Sequence, residues 1–67
     1  MMSLEDTIYS FVDTGACEES IIKDIQEYYP DTWTDEKISQ KINELLKNDS
    51  LIDRGAYLVR NYKKNEI

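Results

Sequence analysis

The segment Ile38-Ser39-Gln40-Lys41-Ile42-Asn43-Glu44-Leu45-Leu46-Lys47-Asn48-Asp49-Ser50-Leu51-Ile52-Asp53-Arg54-Gly55-Ala56-Tyr57-Leu58-Val59 carries two different periods in succession. In its first half Ile38, Ile42, Leu45 and Leu46 cluster on one side of a helix turning about 100° per residue. Asn48-Asp49-Ser50 then supplies turn residues that close the helix. In its second half the period changes. Leu51-Ile52-Asp53, Arg54-Gly55 and Ala56-Tyr57-Leu58-Val59-Arg60 read as two short strands around a tight turn, with glycine providing the positive φ that a hairpin needs. Alternation along the return strand sets Leu58 on one face and Tyr57 and Val59 on the other, without saying which face is core.

Upstream, Thr34 caps this third helix, which runs to Asn48. Asp35 and Glu36 occupy its first turn, where the helix dipole favours acids. A second helix begins at Cys17 or Glu18 and carries Ile21, Ile22, Ile25, Tyr28 and Tyr29, until Pro30 ends it. Asp31-Thr32-Trp33 is a turn-rich link, and Trp33 is expected to lid the space between the second and third helices. Tyr28, Tyr29 and Trp33 read as one aromatic group around Pro30. One of the two tyrosines should be exposed, because adjacent helical residues face different ways. Ser3 caps a first helix with Leu4, Ile8, Phe11 and Val12 as its apolar stripe, and Gly15 stops it in a left-handed conformation. Ala16-Cys17 is a short apolar link, long enough for a stub of strand. Downstream, the polar segment from Asn61 to Ile67 is expected to fray, with residues 62–67 as a flexible tail.

Three short helices followed by a tight hairpin resemble the winged helix-turn-helix superfamily, over residues 3–61. The paired leucines Leu45-Leu46, the polar turn, the short apolar strand, the Arg54-Gly55 tip and the aromatic-bearing return strand carry the resemblance. It implies an α+β fold that is mainly α, a three-helix winged helix-turn-helix with a short C-terminal β-hairpin wing, spanning 1–67 as one domain. It also implies that the third helix enters the major groove of double-stranded DNA while the wing touches the backbone. The branch that binds Z-form nucleic acid is excluded, because the third helix has no tyrosine and Trp33 precedes it.

Composition bounds the function. A chain of 67 residues buries only about 60% of the surface its unfolded form exposes, so the core must be helix-led or completed by a partner. One cysteine, Cys17, allows no intrachain disulfide, and with no histidine the chain lacks the ligand set of a zinc site. Cys17 reads as a packed small side chain rather than a nucleophile. No Gly-rich phosphate loop, base or metal cluster supports catalysis, so neither an enzyme nor a cofactor is expected. Early acids and the lack of a long apolar run predict no signal peptide and no membrane span, which points to the cytoplasm or a host cell's interior. A stand-alone chain rich in Lys and Asn suits a virus, phage or plasmid regulator.

The net charge of −6 is unevenly spread. Residues 1–36 hold ten acids and one base, residues 37–67 four acids and seven bases, giving −9 and +3. An electrostatic footprint belongs to a face, so the basic half matters more than the total. With Ile38 toward the core, Glu36, Gln40, Asn43 and Lys47 point away from it, flanked by Lys37 and Glu44, and Lys41 sits at the boundary. Gln40 and Asn43 are candidates for reading adenine. Lys37, Lys41, Lys47, Arg54 and Arg60 are candidates for phosphates, with Thr34 at the helix start. A polar outward face is equally what a solvated helix shows. The alternative is a protein-contact module, a subunit, adaptor or inhibitor of a nucleic-acid-binding machine, whose acidic half (Glu18, Glu19, Glu27 and Tyr28) meets a basic protein partner. A homodimer is open under the DNA scheme, because two copies double the contacts. Tyr62, Lys63 and Lys64 either extend the contact patch or belong to the tail.

Overall fold

The computed structural model describes residues 2–12 and 15–62. Three helices, α1 (Leu4–Val12), α2 (Glu18–Tyr28) and α3 (Asp35–Lys47), precede two strands, β1 (Leu51–Asp53) and β2 (Leu58–Arg60). The strands pair antiparallel, with Leu51 opposite Arg60, Ile52 opposite Val59 and Asp53 opposite Leu58. The fold class is the expected one: α+β, mainly helical, with a hairpin in the position of a wing.

Helices α1 and α3 begin where their cap residues dictate. The Ser3 hydroxyl accepts from the Asp6 N–H at 3.1 Å, and the Thr34 hydroxyl accepts from the Lys37 N–H at 3.1 Å. Both remove an unpaired donor from a first turn that also holds acids. Cys17 stands at the N-cap of α2 with no side-chain cap bond. Gly15 takes φ +77° and donates to the Val12 carbonyl, which is the left-handed stop expected after α1.

The end of α3 is less ordinary. Asp49 takes φ +66°, its N–H donates to the Leu46 carbonyl, and the Ser50 N–H donates to the Leu45 carbonyl at 2.8 Å. These are the two bonds of a Schellman stop, with an aspartate where glycine is usual. An L-residue in that region costs about 1–2 kcal/mol, and the carboxylate faces the negative end of the helix dipole. Asp49→Gly is therefore expected to stabilise the fold by about 1 kcal/mol after the greater backbone freedom of glycine is subtracted. Thermal unfolding should move up by roughly 4–8 °C.

The core is aliphatic. Ile8, Val12, Ile21, Ile25, Ile38, Ile42, Leu45, Leu51 and Leu58 are buried, and the three helices and the hairpin share them. The helical stripes read from sequence are present, with adjustments. In α1, Leu4 and Phe11 are only half-buried, while Thr7 and Tyr9 are buried. Thr7 satisfies its hydroxyl by donating to the Ser3 carbonyl at 2.8 Å. Tyr9 is covered from the hairpin side, where the Arg60 guanidinium lies 4.2 Å from its ring centre.

The aromatic residues around Pro30 do not form one group. Tyr28 stacks at a tilt on Phe11 of α1, centroids 5.6 Å apart, and Tyr29 meets Trp33 edge-on at 6.2 Å. Tyr28 is 68% exposed and Tyr29 37%, so Tyr28 is the outward one and Tyr29 is only partly withdrawn. Trp33 is half-buried against the core rather than sealed within it.

The link from α2 to α3 is held by Gln26, a residue that the apolar pattern does not mark. Its side-chain amide donates to the Trp33 carbonyl at 2.7 Å and to the Asp35 carboxylate at 2.8 Å. Both amide hydrogens are thus spent on fixing the start of α3. Gln26→Ala is expected to cost about 1–2 kcal/mol, one neutral and one charge-assisted bond, read as a lower urea midpoint with an unchanged slope.

The hairpin differs in detail from expectation. Ala56 and Tyr57 belong to the turn, not to the return strand, because the Asp53 carboxylate accepts from the Gly55 N–H at 2.8 Å and Gly55 takes φ +92°. A backbone bond from the Arg54 N–H to the Tyr57 carbonyl also closes the tip. Ala16 adds its carbonyl to the Leu58 N–H at 3.0 Å, so the link before α2 touches the outer edge of β2 as a one-bond stub. Asn61 does not fray as expected. Its N–H donates to the Ser50 carbonyl and its side chain to the Asp49 carbonyl, tying the strand end to the α3 stop. The Tyr62 ring lies 5.4 Å from the Arg60 guanidinium. The remainder of the expected tail, with Lys63 and Lys64, lies outside the described residues.

Candidate nucleic-acid interface

α3 is 13 residues long, or about 20 Å at 1.5 Å per residue. Its Ile38, Ile42 and Leu45 face the core, which forces Glu36, Gln40, Asn43 and Lys47 onto the opposite side, and all four are exposed. Lys37 and Glu44 flank them and are also exposed. The side chains of Lys37, Gln40, Asn43 and Lys47 make no hydrogen bond or ion pair among the described residues. Two amides and two ammonium groups therefore stand unpartnered along one helix face.

The other candidates are placed differently. The Lys41 ammonium lies 3.6 Å from the Glu44 carboxylate and 4.0 Å from that of Glu5 on α1, so its charge is shared within the chain. The Thr34 hydroxyl already serves as the cap of α3. Arg54 is exposed at the hairpin tip, beside the left-handed Gly55. Arg60 is at the other end of the hairpin, opposite Leu51. Period-two alternation puts it on the face of Leu58, the face packed on the helices, and its guanidinium rests on Tyr9. Its Nε is buried with no hydrogen-bond partner, a cost that stacking on the ring offsets in part. The geometry thus brings Lys37, Gln40, Asn43 and Lys47 together on α3 and leaves Arg54 at the wing tip. Lys41 is drawn into a salt bridge, and Arg60 into the α1–hairpin contact.

Two grooves flank the exposed face. One, of about 500 Å³, runs between the start of α1 and α3 and is lined by Leu4, Glu5, Trp33, Lys37, Gln40, Lys41 and Glu44, among others. Its charges balance. The other, of about 340 Å³, lies between α3, the start of α2 and the hairpin tip, and is lined by Cys17, Glu18, Glu19, Asn43, Leu46, Asp53, Gly55, Tyr57 and Leu58. Asn43 and the tip share this second groove, so the helix face and the wing form one continuous surface.

The acidic set named for a protein partner is divided by the fold. Glu18 and Glu19 stand in the first turn of α2 and line the hairpin groove. Glu27 and Tyr28 are about 13 Å further along the helix, where Tyr28 stacks on Phe11. Cys17 is half-buried at the start of the same helix, its Sγ 3.3 Å from the Ser20 hydroxyl. The bond from the Ser20 side chain, assisted by backbone N–H groups of the first turn, holds its thiol below the ordinary range.

Among the described residues, no group of carboxylates and thiols converges to hold a metal ion, and no helix is long and apolar enough to cross a membrane. Comparison of the chain with protein-family models, with curated proteins and with solved structures returned no match.

Proposed function

We propose that this chain is a small DNA-binding transcriptional regulator that acts by binding rather than catalysis, with α3 in the major groove and the hairpin tip on the backbone. The observation that supports it is the unpartnered row of Lys37, Gln40, Asn43 and Lys47 along one face of a helix whose first turn and stop are both closed by hydrogen bonds. Major-groove edges offer paired donors and acceptors that match amide side chains, adenine above all, so Gln40 and Asn43 read bases. Lys37, Lys47 and Arg54 neutralise phosphates, positioning the helix without carrying sequence information. Glu36 and Glu44 repel the backbone, and Lys41 tempers Glu44. With about three phosphate contacts a single copy binds weakly and salt-sensitively. Two copies on half-sites one turn apart would double those contacts.

The test is a fluorescence-anisotropy titration of the full chain with mixed-sequence duplex DNA at low and near-physiological salt, repeated with Lys37→Ala/Lys47→Ala/Arg54→Ala. Binding that weakens with salt and disappears in the triple variant is the expected result. Absence of binding at low salt, or binding indifferent to the three substitutions, would overturn the proposal.

A further inference from the structure

The groove between α3, the start of α2 and the hairpin tip carries a charge pattern that duplex DNA does not use. Its rim holds Glu18, Glu19 and Asp53, while none of the residues that line it is a base. None of the three acids makes an ion pair among the described residues. The groove beside α1 is built oppositely, with Lys37 and Lys41 set against Glu5 and Glu44. The N-terminal dipole of α2 contributes about half a positive charge, too little to balance three carboxylates. Below the rim the groove is apolar: Leu46 of α3, Leu58 of β2 and the half-exposed ring of Tyr57.

We infer that this groove docks an extended, lysine- or arginine-bearing segment of a partner protein. Charge complementarity selects the occupant: three uncompensated carboxylates attract cations and repel phosphate. The carboxylates do not converge into a metal-holding group, so they suit separate cationic side chains rather than one divalent ion. The apolar floor accepts the methylene stems of those side chains and an aliphatic residue between them. The site shares Asn43 with the Lys37–Lys47 row but none of its cations, and a basic peptide and a duplex are titrated separately, so it stands or fails independently of the DNA proposal. It also separates Glu18 and Glu19, which belong to the groove, from Glu27 and Tyr28, which do not.

The experiment uses the full chain, 15N-labelled, titrated with the capped peptide acetyl-Lys-Leu-Arg-Lys-Leu-Arg-amide. Amide shifts are expected at Glu19, Asn43, Gly55 and Leu58. Because any basic peptide feels a net charge of −6, two variants of equal charge change are compared. Glu18→Gln/Glu19→Gln/Asp53→Asn removes the rim while keeping the side-chain oxygen that holds the tip. Glu27→Gln/Asp31→Asn/Glu36→Gln removes three acids elsewhere. The rim variant should lose about tenfold in affinity and the control less than about twofold. The rim variant should also bind DNA as well as, or better than, the parent chain. Equal losses in both variants, or shifts confined to other faces, would overturn the proposal. Sedimentation of the chain alone tests a second copy as occupant, offering Lys63 and Lys64. A dimer that the rim substitutions dissolve would overturn the assignment to a separate partner.

Discussion

Ile42→Ala is expected to lower stability by about 3–4 kcal/mol and thermal unfolding by roughly 20 °C, the largest effect of any single truncation in the chain. Ile42 is fully buried at the centre of α3, the helix that touches α1, α2 and β1 together. Removing three carbons there forfeits their transfer free energy and leaves a cavity that three elements would have to move together to fill. A domain of this size holds only about 3–10 kcal/mol in total, so the variant forfeits at least about a third of its stability. Lys47→Ala, on the opposite face of the same helix, should change stability by less than about 0.5 kcal/mol. Circular dichroism melts of the two variants check both values. A loss below about 1 kcal/mol for Ile42→Ala would mean that α3 is not packed as described.

The second large effect is on DNA. If Lys37, Lys47 and Arg54 each neutralise one phosphate, log K should fall against log salt with a slope of about −2.7, or about 40-fold between 50 and 200 mM. The triple alanine variant loses all three contacts, and its affinity at low salt should drop by about a hundredfold or more. Arg60→Ala should leave the slope unchanged, because its guanidinium is committed to the Tyr9 ring. It should instead cost about 1 kcal/mol of stability through lost stacking and stem packing. A slope that flattens by about one unit in Arg60→Ala would return that residue to the DNA interface.

Helical stripes made the fold legible. Ile38, Ile42 and Leu45 defined a core face, and once that face is known the exposed positions of Gln40, Asn43 and Lys47 follow from geometry alone. Caps were equally legible, since Ser3 and Thr34 are residues that favour the position and do what their chemistry predicts. Other features depend on neighbours distant in sequence. Lys41 is held by Glu44 three residues on, which helix spacing does show, and also by Glu5 on a different helix, which no spacing rule within α3 can show. Gln26 lies on a polar position of α2 and matters only because Trp33 and Asp35 come within reach of its amide. Arg60 could have been placed: once Leu58 is core, the residue two positions on shares its face. The acidic groove was half visible. Glu18 and Glu19 stood out as a pair, but Asp53 joins them only through the tertiary approach of the hairpin tip to the start of α2.

Mapping amide chemical shifts of the 15N-labelled chain, as a short mixed-sequence duplex is added at low salt, shows whether the outward face of α3 meets DNA. Shifts concentrated at Lys37, Gln40, Asn43, Lys47, Arg54 and Gly55, with α2 unperturbed from Lys23 to Tyr28, are the expected result. Shifts on α2 alone, or no shifts at saturating duplex, would contradict it.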